Sequence, residues 1–213
     1  DLQALISKAT NTSPYNITAV TTGADSSHLH AQLTSIPGLT KSYQNTFTTP
    51  IPVAINGKPL QQLLPTGAHR GEVLQFLGSI EGYDLASTQP SNKLTQGRNL
   101  NASDVGTNNI LISDQLGTSG SDNMNLKPGD TITYASIDGK TQQTLTIVGV
   151  YNSAASISQV GFVLAPSTVP TVLSPATVGV STITYMDIDT AKVNSALDTI
   201  GRLAPNATVQ NTA

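Results

Sequence analysis

The sequence predicts an α+β fold: both chain ends build one βαβ-repeat subdomain, and a β-rich subdomain is inserted between them. Three observations carry this expectation. The two ends share a pattern of strand, capped helix, proline-containing stop and strand. The middle is dense in turn signals. The composition suits half-buried strands: of 213 residues only 11% are charged and 38% hydrophobic. Thr, Ser, Asn and Gln supply the missing polarity, and the branched Cβ of Thr packs well on a pleated sheet.

The first half opens with Asn16-Ile17-Thr18-Ala19-Val20-Thr21 and turns at Gly23-Ala24-Asp25. A helix follows, with Leu29, Leu33 and Ile36 at i, i+4 and i+7, the spacing that places three side chains on one face. Asp25 is the expected cap, accepting from a free backbone N–H of the first turn. Pro37-Gly38 ends the helix, and a second strand is expected from Thr40 to Ile55. The second half repeats this grammar. Val180 to Met186 reads as a strand, Asp189 as a cap, and Val193, Leu197 and Ile200 as an apolar stripe. Pro205-Asn206 stops the helix before a closing strand, Ala207 to Gln210. Neither helix can bury its stripe alone, so both are expected on one face of a shared sheet.

Residues 56–150 differ. Turn signals recur at Asn56-Gly57, Glu81-Gly82, Pro128-Gly129-Asp130 and Asp138-Gly139. Asp138-Gly139 lies between Thr131–Tyr134 and Thr144–Val148, which predicts a β-hairpin; Asn56-Gly57 predicts another. Asn109 to Ile112 reads as a short buried strand. Gly149, set in an apolar run, predicts a bulge or a close backbone approach. The segment around Thr118, Ser119, Gly120, Ser121, Asp122 and Asn123 has almost no apolar anchor and reads as an exposed loop. These signals divide the chain into residues 1–55 and 151–213 for the outer subdomain and 56–150 for the inserted one.

Chemistry-bearing patterns are sparse. The net charge is −3 and there are no cysteines. Scattered cations do not make a nucleic-acid surface, and without Cys there is no disulfide frame, thiolate site or thiol nucleophile. His28 and His30 point about 200° apart on a helix, which leaves His69 without a metal-binding partner, whereas zinc takes three or four ligands. Gly117-Thr118-Ser119-Gly120 lacks the spacing of a nucleophile elbow. Asp122, Asn123 and Asp130 do not follow the calcium-loop order. The Asn-x-Ser/Thr matches at Asn11, Asn16, Asn101 and Asn206 are expected by chance in so polar a chain. No catalytic residue, metal or cofactor is expected.

The middle also carries an ordered set of motifs. Gly97-Arg98-Asn99-Leu100 precedes Asn109–Ile112. Leu126-Lys127-Pro128-Gly129-Asp130-Thr131-Ile132 follows, then Ile147-Val148-Gly149-Val150. In order and spacing this resembles the extracytoplasmic core domain of MacB/FtsX-type ABC-transporter permeases, and Leu33 to Leu39 resembles the end of that family's first helix. The resemblance implies a Porter-like base from both chain ends and a Sabre-like insert. It implies a non-enzymatic domain on the extracytoplasmic face of the bacterial membrane, coupling cytoplasmic ATP hydrolysis to export or to mechanical signalling. The implied partners are the parent's own transmembrane helices, a cytoplasmic ATP-binding subunit or domain, a second permease copy and an extracytoplasmic substrate or protein. No phosphate-binding Gly-x4-Gly-Lys-Ser/Thr loop is present. No apolar run reaches the roughly 18 residues of a membrane span, and the abrupt start at Asp1-Leu2-Gln3-Ala4-Leu5-Ile6 reads as that of a piece cut from a longer protein. The other reading is an autonomous surface or secreted binding module. On either reading the Thr118–Asn123 loop is the candidate partner contact.

Overall fold

A computed structural model of the chain describes residues 2–6, 15–64, 69–117, 124–155 and 159–213. Helix α1 covers residues 2–6. Then come β1 (Ile17–Thr22), α2 (Gly23–Ala31), β2 (Leu39–Thr48), β3 (Ile51–Ile55) and β4 (Lys58–Pro59). The middle continues through α3 (His69–Leu77), β5 (Ile80–Tyr83), β6 (Leu94–Gly97), β7 (Asn109–Ser113) and α4 (Asp114–Gly117). Next are β8 (Thr131–Ala135), β9 (Gln142–Tyr151), β10 (Val163–Pro166) and α5 (Thr168–Leu173). The chain closes with β11 (Ser181–Ile188), α6 (Val193–Leu203) and β12 (Thr208–Asn211). The strands form one mixed sheet in the order β12-β1-β11-β2-β5-β10-β7-β9-β8-β3-β4, with β6 on β9.

The two chain ends interleave at one side of this sheet. Strands β12, β1, β11 and β2 are neighbours, each antiparallel to the next. Strand β11 lies between β1 and β2, so the crossover through α2 spans it, which is the split βαβ arrangement. Val20 faces Ile183 and Ile17 faces Met186 across the β1–β11 ladder. Alternation along these strands sends two residue sets to opposite faces. Ile17, Ala19, Met186 and Ile188 pack with Leu29 and Ile36 from the first half and Val193, Ala196 and Ile200 from the second. Leu33 and Leu197 border the same cluster. Val20, Ile183 and Tyr185 face the other way, into a larger core that includes Leu5 and Ile6 of α1. The two helical stripes therefore share one core, as their common pattern predicted.

Local details differ from the sequence expectation. The chain turns into α2 at Gly23, whose φ is +54°, two residues before Asp25. Thr22 is the N-cap and makes no side-chain cap bond. Asp25 sits in the first turn and accepts from the backbone N–H of Asn206 at 2.9 Å, tying the helix to the entry of β12. The helix stops at Ala31, and Leu33 rides on a 3-10 turn. Asp189 does cap, accepting from Ala191 N at 3.1 Å, but over the 3-10 turn that leads into α6. The run from Thr40 to Ile55 is two strands. Thr49-Pro50 breaks it, β2 joins β11 and β5, and β3 pairs with β8 at the other side of the sheet.

Both hairpins form. Strands β3 and β4 meet at Asn56-Gly57, both with positive φ, the type I′ signature. Strands β8 and β9 pair from Thr131↔Thr146 to Ala135↔Gln142 around Asp138-Gly139. Ile110, Leu111 and Ile112 are fully buried. Glu81-Gly82 is not a turn: it lies inside β5, between β2 and β10. Glycine is needed there because a Cβ on Gly82 would stand 2.3 Å from Thr46 Oγ1.

At Gly149 both expected features are present. The β7–β9 register shifts there, and a Cβ would lie 2.3 Å from the Arg98 carbonyl oxygen. The obstacle is backbone, so rotamer changes cannot relieve it. Gly149→Ala is expected to destabilise the fold by about 2–3 kcal/mol through overpacking, read from urea unfolding; wild-type stability would disprove the close approach.

Candidate functional site

The motif residues converge. Gly97 pairs with Gly149, and Arg98 N–H donates to the Val148 carbonyl at 3.0 Å. Gly129 N–H donates to Ile147 O at 2.8 Å and Ile147 N–H to Asp130 O at 2.9 Å. Three pieces scattered in sequence thus build one corner around β9. Its polar centre is Asp104, which is 1% exposed. The Arg98 guanidinium grips it through two bonds of 2.8 and 2.9 Å. Asn101 N–H and Asn109 Nδ2 donate to the same carboxylate. The Arg98 bonds, chiefly, hold the Asp104 carboxyl well below the usual carboxylate range. The Asp104 carboxylate thus accepts four bonds within the corner, as suits a structural staple.

A second polar node lies where the chain-end strands meet the inserted ones. Strand β5 runs beside β2, and its Glu81 is completely buried. Asn45 Nδ2 from β2 donates to Glu81 Oε2 at 2.6 Å. Tyr185 Oη from β11 lies 2.9 and 2.8 Å from the two carboxylate oxygens. Gly161 N–H, from the approach to β10, donates at 3.0 Å. Val160 N–H donates in turn to Tyr185 Oη at 3.2 Å. One carboxylate on β5 therefore ties together β2, β11 and the approach to β10. Burial pushes its pKa above the ordinary carboxylate value, and the donors from Asn45, Gly161 and Tyr185 offset part of that rise. Tyr185 and Tyr43 are raised as well, first by burial and then by the facing Glu81 charge.

Beside this node the aromatic side chains gather. Tyr43 stacks on Tyr185 with centroids 4.5 Å apart, and Tyr15 meets Tyr43 edge-on at 5.2 Å. Tyr15, Tyr43 and Tyr83 line a cleft of about 150 Å³. Among the described residues the rest of its wall is polar and uncharged: Thr88, Gln89, Ser91, Asn92 and Gln159. Asn92 is 9% exposed, and its buried Nδ2 has no hydrogen-bond partner. Sequence reasoning missed both node and cleft. The available signals were a Glu flanked by Ile80 and Tyr83, and the chain's six tyrosines against an aromatic content of 4%.

The candidate contact residues Thr118, Ser119, Gly120, Ser121, Asp122 and Asn123 lie outside the described residues. Their flanks are joined: Met124 N–H donates to Leu116 O at 2.9 Å and Leu126 N–H to Gly117 O at 3.1 Å. His28 and His30 are exposed, and His30 Nδ1 lies 2.6 Å from Gln44 Oε1. Among the described residues no three His, Asp or Glu side chains gather as a metal site, and no helix is long and apolar enough to cross a membrane. Two sequon asparagines have structural partners. Asn16 bonds both the N–H and the C=O of Ile188, and Asn101 caps the 3-10 turn that holds Asp104.

No protein-family model and no curated protein matches the chain. Among solved structures, it is similar to a crystallised domain assigned to a permease protein of Porphyromonas gingivalis. The two are 15% identical with a TM-score of 0.40, over 92% of this chain and 89% of that one.

Proposed function

We propose that this chain is the extracytoplasmic domain of a MacB/FtsX-type ABC-transporter permease. In this reading it catalyses nothing and needs no cofactor. It relays movement from membrane helices, driven by a cytoplasmic ATPase in a permease dimer, to a substrate or protein outside the membrane. The observation that carries the reading is the interleaved base. Strands from the two chain ends are adjacent, β1 between β12 and β11. Thr212 N–H donates to Asn16 O at 2.9 Å, so the segments entering β1 and leaving β12 meet at one edge of the sheet. A domain inserted between two membrane spans needs that proximity. The motif order seen in the sequence supports the same assignment, because its pieces form one corner of the inserted part. Movement applied at the base reaches the insert through the β2–β5 junction, where Glu81 bonds to both sides.

The test uses the chain's lack of cysteine. A single cysteine replaces exposed Ser87 in the full-length parent protein, and intact cells are treated with a membrane-impermeant maleimide. Labelling without lysis, with the protein in the membrane fraction and apolar segments of about 20 residues encoded on both sides of this chain, is the expected result. Labelling only after lysis overturns the reading. Recovery of the parent in the soluble or secreted fraction favours the autonomous binding module.

A further inference from the structure

We propose that the tyrosine-lined cleft beside Glu81 is a binding site for one neutral saccharide ring. The inference stands apart from the permease reading. It begins with where this aromatic-poor chain spends its rings. The sequence has no Trp and six Tyr, and three of those six line one cleft. A fourth, Tyr185, backs Tyr43 by stacking on it. A core needs none of this at a surface opening, where Tyr15 and Tyr43 are only partly buried. Ring faces held in place by stacking suit the C–H face of a pyranose.

The polar part of the wall narrows the ligand class. Thr88, Gln89, Ser91, Asn92 and Gln159 are all uncharged. The Glu81 carboxylate is sealed behind the rings and engaged by Asn45, Gly161 and Tyr185. Lys41 is exposed and sits 5.2 Å over the Tyr15 ring, so its charge is already placed against an aromatic face. None of the described wall residues selects an ion. Amides and hydroxyls instead match a ligand with several hydroxyl groups. Asn92 lines the cleft, and its Nδ2 is buried without a partner; that cost would be relieved if the amide turned so that its NH₂ met a ligand oxygen. A proline-containing peptide would use the rings as well. It would bring one carbonyl per residue to five polar side chains, and so fits less well. The volume of about 150 Å³ is below the roughly 300–1,000 Å³ of drug-sized sites, which limits the occupant to about one ring, such as the end of a glycan.

The 213-residue chain is titrated with methyl β-glucopyranoside, methyl β-N-acetylglucosaminide and triproline. Saturation-transfer NMR detects the sugar ring protons, and tyrosine fluorescence, undisturbed by Trp, reports the cleft. Saturable millimolar binding of at least one glycoside is expected. Asn92→Leu should lower that affinity at least tenfold. Because Asn92 is buried, the exposed Gln89→Ala is run beside it and should lower affinity severalfold with an unchanged melting temperature. Absence of saturable binding by both glycosides overturns the proposal. So does binding that neither variant changes. Binding of triproline without either glycoside overturns it too, in favour of a peptide site.

Discussion

Replacing Glu81 by alanine is expected to destabilise the chain by about 3 kcal/mol or more, since each buried donor left unpaired costs about 1–3 kcal/mol. Asn45 Nδ2, Gly161 N–H and Tyr185 Oη would all lose their acceptor at once. Relief of the buried charge returns part of this, so the loss should be smaller than three full penalties. Glu81→Gln should behave differently. The buried Asn45 Oδ1 has no partner, and the Asn45 amide can turn to accept from the new Gln NH₂. Urea unfolding should therefore rank Gln close to wild type and Ala far below it. Equal losses for both would mean that the node matters only as packing.

The same group sets a pH dependence. Its folded pKa is raised, above all by burial, whereas the unfolded Glu titrates near about 4.3. Between these two values the folded chain binds the extra proton, so stability falls as pH rises through the window and is greatest below it. The Gln variant lacks this slope and should gain on wild type as pH increases. Parallel stability curves for the two proteins would show that Glu81 does not titrate differently on folding.

Asp104→Ala is the second large effect, expected at about 1.5–3 kcal/mol, the net worth of hydrogen bonds to a charged group, because its partners are part-buried or exposed and can turn to water. Asn101 N–H and Asn109 Nδ2 lose their acceptor, and the Arg98 clamp opens. Arg98→Ala should cost less. The Arg98 side chain is 48% exposed, and water can take its place on the carboxylate while the other two donors remain. The pH sign is opposite to that of Glu81. The folded Asp104 pKa is lowered, first by Arg98, so its contribution is present above the unfolded value of about 3.9 and is lost as pH falls through the folded one. Thermal melts taken from pH 7 down to pH 3 should show wild type losing more stability than Asp104→Ala. An identical acid response in both proteins would remove Asp104 from the account.

Local chemistry specified much of the secondary structure. The spacing of Leu29, Leu33, Ile36 and of Val193, Leu197, Ile200 marked two apolar sets that need a shared surface, although of the first set only Leu29 lies on α2. Asn56-Gly57 and Asp138-Gly139 fixed two hairpins, because few residues take the backbone angles those turns require. Gly149 announced a close approach, and the shared pattern of the two ends paired them in one sheet. Long-range partners, by contrast, are set by the folded arrangement. Thr40 to Ile55 reads as one strand, and the break at Pro50 sends its two parts to opposite sides of the sheet. Glu81-Gly82 has the letters of a turn, yet it lies in a buried strand, since Asn45, Tyr185 and Gly161 arrive from distant segments to bond the carboxylate. The tyrosine cleft is equally silent in sequence. Tyr15, Tyr43 and Tyr83 share no local period, and only the strand order β1-β11-β2-β5 brings them together. Periodicity and turn residues encode interactions between near neighbours, whereas a buried charge or an aromatic wall exists only once non-local strand pairing has excluded water around it.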